Sequence, residues 1–206
     1  MRIPLQYQRT EYDCGPTSLL NAITFLIDRE DFPPDILRHC MLYTLDRYNE
    51  KGEAHKNGTS RMAMFFLAGW LNEYAKVTKF PIYAETLSGK DVCISEGSRI
   101  LEALRQNGVI VVRVFLDCDH YVTLTGIRDQ GIELFDPYYR DTPFPHPGIT
   151  LIDNKPFAAN RLVAFEYLNS EDKLPYAFGP IENREAIILY NTNTRKTPEK
   201  TIEYFI

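Results

Sequence analysis

"QRTEYDCGPTSLL", residues 8–20, passes from a polar run into an apolar one at a cysteine. Cys14 is followed by Gly15 and Pro16. Beyond them Leu19, Leu20, Ile23, Leu26 and Ile27 recur with the spacing of one helical face. Pro16 fits the first turn of such a helix, where a backbone N–H would lack a partner in any case. A helix opening here places the Cys14 thiol among unpaired N–H groups at the positive end of the macrodipole, which favours the nucleophilic thiolate. Gly15 is expected to leave room for a substrate backbone. By itself the setting suits a buried structural cysteine as well as a reactive one.

Working outward, the first half reads as mainly helical. After the proline pair at 33–34, Ile36, Leu37, Cys40, Met41, Thr44, Leu45 and Tyr48 share a stripe. From about Thr59, residues Met62, Phe65, Phe66, Gly69 and Trp70 form another, expected to be core. "SRILEALRQ" (98–106) predicts a fourth helix stopping at Asn107-Gly108. "NEKGEAHKNG" (49–58) is a charged loop long enough to border a cleft. The second half reads as strands: "VIVVRVFL" (109–116), "HYVTLTGI" (120–127), "IELFD" (132–136), "RLVAFEYL" (161–168) and "AIILYN" (186–191). The tail from Asn191 is polar with an apolar end. Helices followed by strands imply an α+β fold with the two parts packed face to face, a single domain with a helical lobe over about 1–108 and a β lobe over about 109–206.

Composition narrows the function. The 206 residues are 44% apolar and 25% charged, with a net charge of −5. This is the balance of a globular chain, and an acidic surface repels phosphate backbones, so no nucleic-acid partner is expected. No apolar run approaches the roughly 18 residues that span a bilayer, and the first sixteen residues show no secretory h-region. Cys14, Cys40, Cys93 and Cys118 have no C-x-x-C spacing, so they are expected to be free thiols in a reducing, cytoplasmic setting. Cys118 and His120 form a C-x-H pair, but two ligands are too few for a metal, and no glycine-rich phosphate loop is present. No cofactor is expected.

A nucleophile needs a base, and the chain has four histidines. His39 lies in a helical stretch, His55 in the charged loop and His146 between prolines. His120 opens a strand, on the same face as Val122 and Leu124. Such a histidine is more often a satisfied core residue. Asp136 changes the weighing, because it shares a face with Ile132 and Leu134, and a carboxylate on an apolar stripe needs a partner. "RDQG" (128–131) reads as the turn of an antiparallel hairpin joining the two strands. An even register, such as 120 opposite 136, puts imidazole and carboxylate on one face about 5–8 Å apart. An odd register separates them. Gln8, upstream of Cys14, offers an amide donor for an oxyanion beside the Cys14 backbone N–H, although a surface glutamine is the plain alternative.

Taken together, "QRTEYDCGPTSLL", "DHYVTLTGI" and "FDPYY" resemble the bacteriocin-processing (double-glycine) peptidase family among the papain-like cysteine peptidases. The order glutamine, cysteine, histidine, aspartate is similar, as are the spacing from His120 to Asp136 and the proline that follows it. That resemblance implies Gln8 as oxyanion residue, Cys14 as nucleophile, His120 as general base and acid, and Asp136 as orienting group. It implies a papain-like fold with the site between a helical lobe and an antiparallel sheet, and a peptide or protein substrate. It covers three short segments, and "DCGPTSLL" is closer to the broad relatives than to transporter-linked members. Two rivals share these residues: an acyl- or peptidyl-transferase using the same triad, and a protein that binds a peptide without cutting it.

Overall fold

Cys14 does open a helix. A computed structural model describes residues 1–197; the apolar end of the tail lies outside the described residues. In chain order the elements are α1 (Cys14–Leu26), α2 (Pro34–Leu42), α3 (Arg61–Thr78), β1 (Ile82–Ser88), α4 (Arg99–Arg105), β2 (Val109–Leu116), β3 (Cys118–Arg128), β4 (Gly131–Phe135), β5 (Ile149–Leu151), β6 (Arg161–Ala164), α5 (Phe165–Asn169) and β7 (Glu185–Asn191). The strands form one antiparallel sheet in the order β1-β7-β2-β3-β4-β6-β5. The fold is α+β.

The sheet is covered on both faces, which explains the unbroken apolar runs of β2 and β7. Val109, Val111, Tyr121, Ile187 and Leu189 pack with α1, α2 and α3. Ile110, Val112, Val122, Leu124 and Ile188 pack with α4, α5 and the segment around Tyr176. Leu19 and Ile23, fully buried, each stabilise the docking of α1 by roughly 1.5–3 kcal/mol. The fourth helix stops as expected. Asn107 takes φ +61, the Gly108 N–H donates to Ala103 O, and a Cβ on Gly108 would fall 2.7 Å from the Tyr190 ring.

Several expectations need correction. Residues 161–168 do not continue as one strand. Gly131, the first residue of β4, already pairs with Ala164, so later residues have no ladder partner and turn into α5. β1 comes from "PIYAETLS" in the stretch read as helical; Ile82 and Ala84 pack on the face of α1, α2 and α3 while Leu87 packs on the opposite face, so its buried residues follow no strict alternation. On α3 the buried phase is Ala63, Met64, Leu67, Ala68 and Leu71, whereas Met62 is 75% and Phe66 50% exposed. The smaller residues let the helix approach the sheet. Trp70 is turned to the flank, stacked on His39 at 4.1 Å. α2 ends at Leu42, short of the stripe expected to reach Tyr48; on it Ile36 and Cys40 are buried, while Leu37 and Met41, and Tyr48 beyond it, are exposed.

Candidate functional site

The loop before α1 is held by Asp13, whose carboxylate accepts from the Arg9 N–H (3.0 Å), the Thr10 N–H (2.7 Å) and the Thr10 hydroxyl (2.5 Å). Burial pushes this carboxyl up, but those donors more than offset it and hold its pKa below the usual range. The Asp13 side chain therefore shapes the loop, and the residue caps α1 with its backbone alone. Cys14, at the mouth of α1, is buried. A Cβ on Gly15 would lie 2.9 Å from Thr59, so the glycine lets Thr59, just past the 49–58 loop, seat against the helix mouth. Arg61, just beyond Thr59, is anchored by its Nε to buried Glu185 at 2.6 Å, and the Tyr121 hydroxyl donates to the other Glu185 oxygen.

Buried reciprocal hydrogen bonds set the placement of the remaining groups. The Ser18 hydroxyl donates to Tyr121 O and the Thr123 hydroxyl donates to Ser18 O, both at 2.9 Å. They lock α1, one turn past Cys14, onto β3 immediately beside His120. Asn21 does the same for the N-terminal segment: it accepts from Gln6 N–H at 2.8 Å and donates to Gln6 O at 2.9 Å. Asn160 brackets the Asp136 backbone, accepting from its N–H and donating to its O, both at 2.8 Å.

The register of β3 on β4 decides the face of His120. Next to the turn, Arg128 opposes Gly131, Ile127 opposes Ile132 and Gly126 opposes Glu133, which is the odd register that separates imidazole from carboxylate. A β-bulge between Leu124 and Gly126 then inserts Thr125 as an extra residue. Beyond it Leu124 opposes Leu134 and Thr123 opposes Phe135, so His120 and Asp136 become same-face diagonal neighbours. The Thr125 hydroxyl donates to Glu133 O at 3.2 Å across the bulge. One inserted residue therefore brings the two groups together.

His120 Nε2 lies 2.7 Å from Asp136 Oδ1, leaving Nδ1 for the thiol. Burial opposes charge on the ring. Asp136, by charge and hydrogen bond, and Cys14, by hydrogen bond and charge, nevertheless raise its pKa from 6.5 to about 10. Burial likewise pushes the Asp136 carboxyl up, but His120, the Tyr176 hydroxyl and the Tyr138 N–H hold it below its ordinary value. Gln8 joins the group. Its N–H donates to Pro137 O at 2.9 Å, and its Nε2 spends one hydrogen on Thr10 O at 2.8 Å, leaving a second. Its Oε1 is buried without a partner. Gln8, His120 and Asp136 line a cavity of about 210 Å³ with Cys118, Tyr138 and Arg161.

Gln8, His120 and Asp136 thus share one cavity, and Cys14 acts on the His120 ring by hydrogen bond and charge. Sequence reasoning missed Ser18, Asn21, Asn160 and Tyr176, although a polar side chain inside an apolar run always needs a partner. The other thiols differ. Burial pushes Cys40 up to about 12, and exposed Cys118 is raised by partial burial and by nearby Cys14 and carboxylates. Among the described residues no cluster of three or more His, Cys, Asp or Glu could hold a metal ion, and no helix is long and apolar enough to cross a membrane.

The pair's pKa shifts fix the sign of its effect on stability. Folded His120 holds its proton more tightly than the unfolded residue, so its contribution is fully present below pH 6.5 and is lost as the pH rises to about 10. That of Asp136 is present above 3.8 and is lost as the pH falls through its lowered folded value. Thermal unfolding of wild type and His120→Gln is therefore expected to show the widest gap at or below pH 6.5, narrowing toward pH 10.

No family model and no curated protein matches the sequence. Among solved structures, the chain is similar to the peptidase domain of Streptococcus ComA, described as a bi-functional ABC transporter involved in a quorum-sensing pathway. That match has 14% identity, covers 91% of this chain and 97% of the other, and has a TM-score of 0.44. The peptidase domain of Streptococcus mutans ComA matches at 14% identity over 91% and 98% of the two chains, with a TM-score of 0.40.

Proposed function

We propose that this chain is a papain-like cysteine peptidase with Cys14 as nucleophile, His120 as general base and acid, Asp136 as orienting group and Gln8 as oxyanion donor. The observation that carries the reading is the buried His120 Nε2–Asp136 Oδ1 bond of 2.7 Å, on a ring whose proton affinity is also raised by Cys14. A purely structural histidine needs neither a thiol at a helix mouth nor a glutamine sharing its cavity.

The chemistry follows from the placement. Nδ1 of His120 takes the thiol proton, and the Cys14 sulfur bonds to the substrate carbonyl carbon. The carbonyl electron pair moves onto oxygen, which accepts from the second Gln8 Nε2 hydrogen and from the Cys14 N–H. As the C–N bond breaks, His120 passes its proton to the departing amine, and a thioester remains. Water then gives a proton to His120 and attacks the thioester. The C–S bond breaks, and the carboxylic product leaves as the thiol is restored. Asp136 holds the ring so that the same nitrogen serves both halves.

A peptide library incubated with wild type and with Cys14→Ala, and read by mass spectrometry, tests the proposal. Cleaved products are expected with wild type alone. Products condensed onto an added amine would make the chain a transferase, and peptides retained uncut by both proteins would make it a binding protein.

A further inference from the structure

Tyr176 is fully buried, yet its φ is +66, a conformation bulky L-residues rarely adopt. Its N–H donates to Phe115 O at 2.7 Å, which anchors the residue to the end of β2. Its hydroxyl donates to Asp136 Oδ2 at 2.7 Å and accepts from Arg161 Nε at 3.1 Å. Arg161 is only 2% exposed; its other bonds go to Asn160 O at 2.9 Å and Tyr138 O at 3.3 Å. A buried cation therefore reaches the buried carboxylate through a phenol.

We propose that Tyr176 is a positioning residue of the Cys14–His120–Asp136 centre, a phenol that fixes the second oxygen of Asp136 and, backed by Arg161, draws negative charge away from His120. This inference rests on the peptidase reading. Oδ1 already serves His120 and the Tyr138 N–H. With Oδ2 unheld, the carboxylate could turn about its χ2 and offer either oxygen to the ring. The phenol closes that freedom, and the guanidinium behind it strengthens the O–H donor. Less charge on Asp136 means a weaker hold on the imidazolium proton, which His120 must release to a leaving amine. The ionisable groups facing the pair, besides Tyr176, are Cys14 from α1, Arg161 from β6 and, around the cavity, Glu11, Asp117, Cys118, Tyr138 and Arg140. Of these, Arg161 is the one bonded to the phenol.

The test uses the full chain with Tyr176→Phe and, separately, Arg161→Met. Each is read by the NMR titration of the His120 ring, by the pH dependence of Cys14 alkylation, by kcat and KM, and by Tm. In Tyr176→Phe the ring titration and the alkaline limb are expected to move up by about half a unit or more. A fall in kcat of about 10-fold, with KM close to wild type, is expected to accompany the shift, and Tm falls because Asp136 Oδ2 and Arg161 Nε each lose a buried partner. Arg161→Met, which keeps the phenol, is expected to move the titration in the same direction and carries the test if Tyr176→Phe does not fold. An unshifted ring titration in a folded variant would overturn the proposal and leave Tyr176 as packing against Phe144. Failure of the peptidase reading looks different: wild-type Cys14 would label no faster than Cys93, whatever the titration of His120.

Discussion

Cys14→Ser is expected to lower peptide hydrolysis by about 10⁴-fold or more with little change in folding. Oxygen replaces sulfur in a nearly equal volume at the first residue of α1, so the packing of Leu19 and Ile23 on the sheet is untouched. The serine hydroxyl also finds a partner in the imidazole, so no buried polar group is orphaned. A hydroxyl beside His120 is far harder to ionise than a thiol, and the thioester cannot form. Measured kcat together with Tm separates these effects: kcat is expected to collapse while Tm moves by a few degrees at most. Equal activity in the two proteins would remove Cys14 from the reaction.

Asp136→Asn is expected to cost roughly 10²-fold at neutral pH and to move the alkaline limb downward. The amide keeps the shape of the carboxylate, and the Tyr138 N–H still selects an acceptor oxygen at Oδ1, so His120 keeps its orientation. What disappears is the charge. Burial, which opposes protonation of the ring, is then met by Cys14 without the help of Asp136, and the imidazolium population at neutral pH falls. The shift has the opposite sign to that expected for Tyr176→Phe, where Asp136 keeps its charge and loses a donor. A pH–rate profile of the two variants side by side checks both signs at once. Limbs moving together in one direction would contradict the electrostatic account.

Much of this arrangement was legible in the residues. The helix at Cys14 follows from Pro16 and the apolar spacing after it, and the stop at Gly108 from the Asn-Gly pair. The strands carrying His120 and Asp136 follow from their branched and aromatic runs. Their shared face was not legible, because a two-residue turn at Asp129 and Gln130 sets the odd register and the bulge at Thr125 reverses it. Nothing local to Thr125 distinguishes it from Thr123. The α3 stripe misled because its aromatic residues outweigh alanines in any hydrophobic pattern, while close approach to the sheet requires the small ones. Tyr176 was hidden for a related reason, since a tyrosine in a loop gives no sign of being buried at positive φ. Its partners, Asp136 and Arg161, are distant in sequence and meet through the β4–β6 pairing.

Catalysis requires sulfur, imidazole and carboxylate to behave as one unit, and thiol reactivity reads that unit without knowledge of the substrate. The measurement is the alkylation rate of each cysteine at neutral pH, followed by peptide mass spectrometry in wild type and His120→Ala. Cys14, although 6% exposed, is expected to label faster than Cys93 and exposed Cys118, and to lose that advantage without His120. Labelling led by Cys118, with Cys14 indifferent to the histidine, would contradict the account.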